Sequence, residues 1–97
     1  MQARIIISGI VQGVFFRDFI RKNAEALNIK GYVRNTKEGN VEVLAGGKKE
    51  DIKKLVEQCK TGPLEAKIKN IEIEEIKSKE KFSNFIIRDD KEEIENS

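Results

Sequence analysis

At Phe16 the spacing of apolar residues changes from a strand pattern to a helical one, and the same change occurs again near Lys49. Before the first switch, Ala3 to Gly9 holds β-branched Ile5, Ile6 and Ile7 with no helical stagger, which predicts a strand. Three isoleucines in a row suit a central strand, covered on one face and at least partly shielded on the other. After the switch, Phe16, Phe19, Ile20, Ala24 and Leu27 recur at helical spacing, with Arg21, Lys22 and Glu25 on the opposite side. Asn28 follows the last periodic residue, where a left-handed helix terminus tolerates asparagine next after glycine.

Two more strands are predicted over Ile29 to Thr36 and Val41 to Gly46. The turn Lys37-Glu38-Gly39-Asn40 joins them, with Gly39 taking the positive φ. A second helix runs from Lys49 to Lys60 on a seam of Ile52, Leu55, Val56 and Cys59, and Thr61-Gly62-Pro63 stops it. A fourth strand, Ala66 to Ile76, carries Ile68, Ile71 and Ile73, and the step from Ile68 to Ile71 breaks alternation as a bulge would. A short last strand is predicted over Phe82 to Arg88, anchored through Phe85 and Ile87.

Two helices with one apolar face each must share one side of a mostly antiparallel sheet. The order β-α-β-β-α-β with an extra short C-terminal strand therefore predicts a ferredoxin-like α+β sandwich, the third strand inserted between the first two. A chain of 97 residues supports one core. The expected organisation is a domain over residues 1–88 and an acidic, flexible tail over 89–97.

The net charge of +2 hides an asymmetry, because the tail sums to −4 and the first 88 residues to +6. A basic body favours anionic ligands without choosing between small phosphates and nucleic acid. No apolar run is long enough to cross a bilayer, and Met1-Gln2-Ala3-Arg4 lacks the regions of a secretory signal. The lone Cys59 cannot form an internal disulfide, which is compatible with a reducing cytoplasm.

The informative connection is Gly9-Ile10-Val11-Gln12-Gly13-Val14-Phe15-Phe16-Arg17, which leads from the first strand into the first helix. Two glycines before a helix N-terminus offer backbone N–H groups and the positive end of a helix dipole to an anion. Arg17 falls in the first helical turn, against the preference of that dipole, and a guanidinium can grip two phosphate oxygens. On spacing alone, a plain strand–helix turn with a surface arginine accounts for these residues somewhat better than an anion cradle does.

Other phosphate chemistries are excluded by inspection. Gly47-Lys48 is followed by Lys49 and preceded five back by Glu42, so there is no Walker loop. The chain has no histidine, which removes phosphohistidine chemistry and the usual general base. Cys59 lies on the apolar helix seam, and Glu65 stands six residues on, where cysteine phosphatases have arginine. No cluster of His, Cys or carboxylates has metal-ligand spacing, so no metal or other cofactor is expected. What remains is backbone dipoles, Arg or Lys, amides and carboxylates, a set suited to a substrate that is already activated.

The stretch Gly9 to Arg17 resembles the signature of the acylphosphatase family. So does Gly31-Tyr32-Val33-Arg34-Asn35 followed by Glu38-Gly39-Asn40-Val41-Glu42, with Gly62-Pro63 and Ala66 downstream. The resemblance runs from Ile5 to Arg88, and Val-Gln-Gly-Val-x-Phe-Arg paired with Val-Arg-Asn at this separation is specific. It implies a hydrolase that cleaves the carboxyl–phosphate bond of acyl phosphates, with an acyl phosphate and inorganic phosphate as its small-molecule partners. It further implies a phosphate loop over Gly9, Gln12, Gly13, Val14 and Phe15, a phosphate-binding Arg17, and an Asn35 that orients the attacking water. Tyr32 stands where many members have Trp, Asn28 where glycine is usual, and Glu38 where Asp often precedes the turn glycine.

Period-2 spacing puts Asn35 on the face of Val33 and Gly31, and Arg34 on the opposite face, solvent-exposed or paired across the sheet. Gln12 either contributes a side chain to the loop or merely satisfies it. Phe15 and Phe16 are expected to anchor loop and helix rather than to stack on a ligand. An RNA-binding module shares this topology but stacks bases on aromatics of its first and third strands, and Arg4 to Ser8 and Val41 to Gly46 have none. A non-catalytic anion-sensing or carbamoyl-handling domain, of the kind found inside larger maturation proteins, is a third reading, against which the short chain speaks. The expected chain is thus a metal-independent cytoplasmic monomer that binds neither nucleic acid nor membrane.

Overall fold

Along β1 (Gln2–Ile10), Ala3, Ile5 and Ile7 are fully buried while Arg4 is exposed and Ile6 half-buried, the pattern of a strand whose one face meets the core. The structure, a computed structural model, describes residues 1–77 and 80–88. After β1 come α1 (Phe16–Ala26), β2 (Lys30–Asn35), β3 (Val41–Gly46), α2 (Lys49–Thr61), β4 (Lys67–Ile76) and β5 (Phe85–Ile87). The sheet order is β4-β1-β3-β2-β5, so β3 does insert between β1 and β2. Every pairing is antiparallel except that of β5 with β2, which is parallel.

The core forms where the apolar helix faces meet one side of this sheet. Phe16, Ile20 and Ala24 of α1 and Ile52, Leu55 and Cys59 of α2 pack in one cluster with Ile5, Ile7, Val33, Val41 and Val43. Each fully buried large aliphatic or aromatic side chain here contributes roughly 1.5–3 kcal/mol. Burial pushes the Cys59 thiol up to about 12, consistent with core filler.

The expected bulge is present in β4. Ser8 pairs with Asn70 and Gly9 with Ile68, leaving Lys69 as the extra residue. At this kink Gly9 has φ +127°, and a Cβ would collide with the Lys67 carbonyl. Gly31 is the second position that only glycine fits: φ is +142°, and a Cβ would collide with the Leu44 carbonyl. Asn28 takes the left-handed conformation at the end of α1, with φ 59°.

The last strand is shorter than predicted, three residues instead of the span from Phe82. Its parallel register with β2 begins only at Phe85, opposite Gly31. Phe82 instead turns edge-on to the Tyr32 ring at 5.9 Å, and the Arg88 guanidinium lies 3.9 Å over that same ring. On the sheet face away from the helices, Arg34 pairs across to Glu42 at 2.6 Å, which also meets Arg4 at 3.3 Å. The tail over 89–97 lies outside the described residues.

Candidate active site

β1 ends at Ile10, and Val11, fully buried, pins the start of the loop that follows. The loop ends at Phe15, which takes the left-handed conformation with φ 61° and serves as the N-cap of α1. Its side chain makes no capping hydrogen bond, so no side chain at that position satisfies the first-turn N–H groups of α1. Phe16, 1% exposed, then locks the helix start into the core, and Arg17 follows it, half-buried. From the other side β2 delivers Asn35, its last residue, 9% exposed and on the same face as Gly31 and Val33.

These two deliveries meet in a cleft of about 280 Å³. Gly13, Phe15 and Arg17 line it from the loop and helix side, and Asn35 from the sheet. The structure therefore brings together the two residues at the centre of the sequence reading, Arg17 and Asn35, with part of the glycine loop. Gly9, Gln12 and Val14 are not among the described residues lining the cleft. Gly9 sits at the bulge, and Val14 packs against the core.

Gln12 spends its side chain elsewhere. Its Nε2 donates to the carbonyl of Thr36 at 3.0 Å and to that of Asn40 at 2.8 Å. Both acceptors belong to the turn that begins just after Asn35. One carboxamide thus ties the glycine loop to the strand end that carries the asparagine. Any direct contact of Gln12 with a phosphate falls to its main-chain N–H.

Two cleft residues escaped the sequence reading. Asp18 lines the wall beside Arg17, where hydrogen bonds from Arg21 at 2.8 Å and from Lys22 hold its carboxyl below the usual carboxylate range. Its signal was present, since Arg21 and Lys22 follow at i+3 and i+4. Ile87 closes another side, 40% exposed, and arrives through the parallel pairing of β5 with β2, which no local pattern encodes. One expectation is corrected: Phe16 anchors the helix, but Phe15 does not, being 83% exposed. The left-handed backbone at Phe15 turns its side chain away from the core that takes Phe16.

Among the described residues, no group of three or more His, Cys, Asp or Glu is arranged to hold a metal ion, and no helix is long and apolar enough to cross a membrane.

Comparison with known proteins bears on the same segment. A family model described as Acylphosphatase matches residues 3–87. An acylphosphatase of Caldivirga maquilingensis is 41% identical over 91 residues, covering 93% of this chain and 96% of that protein. A probable carbamoyltransferase HypF of Methanocaldococcus jannaschii is 47% identical over 89 residues, 90% of this chain but only 11% of that much longer protein. Among solved structures, the acylphosphatase from Bacillus subtilis superposes with a TM-score of 0.86 at 38% identity, covering 90% of this chain and 97% of that one.

Proposed function

The chain belongs to the acylphosphatase family, hydrolases of acyl phosphates, and we propose that it carries out this reaction with Arg17 and the 9–15 loop holding the phosphate and Asn35 orienting the water. The observation that supports this assignment is the convergence of Arg17, Gly13 and Asn35 on one cleft, at the uncapped N-terminus of α1. Backbone N–H groups of Gly13 and Phe15 on the cleft wall and the Arg17 guanidinium supply donors for phosphoryl oxygens, with Gln12 and Val14 beside them in the loop and Gly9 shaping its entry. The Asn35 carboxamide accepts from, and so aims, the attacking water.

The chemistry needs little more. Water oxygen bonds to phosphorus as the bond from phosphorus to the acyl oxygen breaks. The carboxylate leaves without protonation, since it is the stable anion of a mixed anhydride. The proton of the attacking water passes to a phosphoryl oxygen, because asparagine is no base. The remaining work is positioning and charge stabilisation of the transferring group, which donors at fixed places perform without a metal. The domain over 1–88 performs it as a monomer, and one buried thiol suits a cytoplasmic setting.

Hydrolysis of acetyl or benzoyl phosphate in the presence of a chelator tests the reading. Wild type is expected to be active and competitively inhibited by inorganic phosphate. Arg17→Ala weakens phosphate inhibition, whereas Asn35→Ala keeps it and loses turnover. Wild-type rates in both variants sink the assignment.

A further inference from the structure

Phe15 is anomalous on three counts. An L-residue in the left-handed region carries strain that glycine would not, and φ at Phe15 is 61°. An N-cap favours Ser, Thr, Asp or Asn, whose side chains satisfy the helix N-terminus, and phenylalanine does not. The residue is 83% exposed, so its side chain gains little from burial. The fold draws no benefit from this residue on any of the three counts, yet the residue stands on the wall of the reaction cleft. Ile87, 40% exposed, stands on the same cleft from β5.

We propose that the Phe15 ring and the Ile87 side chain form an apolar shelf for the acyl group, so that the site selects acyl phosphates whose acyl part is apolar and uncharged. The inference rests on the reading of this cleft as the acyl phosphate site. Once phosphate occupies the Arg17 side, the acyl substituent must lie against what else lines the cleft. Among the described residues there, Arg17 is the single cation, and the other charged group is the carboxylate of Asp18. An acyl group with its own carboxylate would find no second cation on the cleft wall, the Asp18 carboxylate there being already paired with Arg21 and Lys22. An aliphatic or aromatic group finds two exposed hydrocarbon surfaces.

The test compares kcat/KM for benzoyl, acetyl and succinyl phosphate in wild type, Phe15→Gly, Phe15→Leu and Ile87→Ser. Intrinsic reactivity differs among the substrates but cancels when the benzoyl-to-acetyl ratio of a variant is divided by that of wild type. Phe15→Gly is compatible with φ 61°. That ratio should fall roughly fivefold in Phe15→Gly and two- to threefold in Ile87→Ser, and Phe15→Leu should recover part of it. Relative to their uncatalysed hydrolysis rates, succinyl phosphate should be the least efficiently used of the three, and a rate enhancement for it above that for benzoyl phosphate would count against the shelf. A binding readout independent of turnover is the affinity for benzylphosphonate relative to methylphosphonate, which should shift in the same direction. A ratio within twofold of wild type in both Phe15→Gly and Ile87→Ser overturns the shelf. Failure of wild type to hydrolyse any of the three overturns the underlying reading of the site instead.

Discussion

Replacing Gln12 by methionine removes two hydrogen-bond donors while keeping length and adding no charge. The bonds lost run from Nε2 to the carbonyls of Thr36 and Asn40. Neither acceptor is orphaned: Thr36 O also receives the N–H of Gly39 at 3.1 Å, and Asn40 O that of Thr36 at 2.9 Å. The loss is therefore two net hydrogen bonds without a desolvation penalty, about 1–2 kcal/mol in all, because the site is half-buried. The kinetic effect should be larger in kind. The loop and Arg17 form one continuous segment and keep their mutual geometry, so the inhibition constant of inorganic phosphate should change less than about threefold. The relation of that segment to Asn35 depends on the tie, and a displacement near 1 Å between water and phosphorus lowers kcat on the order of ten- to a hundredfold. Urea denaturation, phosphate inhibition and initial rates on benzoyl phosphate measure the three quantities. If kcat stays within twofold while stability falls as expected, the tie is structural only and registry between loop and Asn35 does not limit the chemistry. A collapse of phosphate affinity with kcat intact would instead put the Gln12 side chain on the phosphate.

Two further substitutions probe the frame around the site. Gly31→Ala must abandon φ +142° or push the Leu44 carbonyl away, so the β2–β3 pairing that presents Asn35 should lose at least about 3 kcal/mol in denaturant unfolding; a loss under about 1 kcal/mol would refute the steric argument. Cys59 gives a pH dependence with a definite sign. The folded thiol stays protonated to about 12 while the unfolded one ionises from its ordinary value of 9.0, so stability should fall as pH rises between these values. Cys59→Ala, though less stable at neutral pH from the cavity it leaves, should show a flatter alkaline decline, and an equal slope in both proteins would count against the assignment.

The order of elements was legible because each helix announces itself by a change of apolar spacing and each strand by β-branched runs. Even the β4 bulge showed, as the three-residue step from Ile68 to Ile71. Arg17 and Asn35 were legible as candidates through the paired motifs around them, and the fold explains how residues 18 apart in sequence line one cleft. What stayed hidden is non-local or conformational. Phe15 and Phe16 are identical in composition and differ only in the backbone angle that sends one ring into the core and the other to solvent. The Gln12 contacts span 24 and 28 residues, and Ile87 reaches the cleft only because β5 lies parallel to β2. No periodicity carries such information.

That parallel docking of β5 also bears on how the protein is made. Arg17 and Asn35 leave the ribosome early, but β1 cannot complete its pairing until β4 has been synthesised, and β5 comes later still. A nascent chain can hold both polar residues before the wall bearing Ile87 exists. The Ile87 wall is therefore the last part of the cleft to be made, after the loop, Arg17 and Asn35.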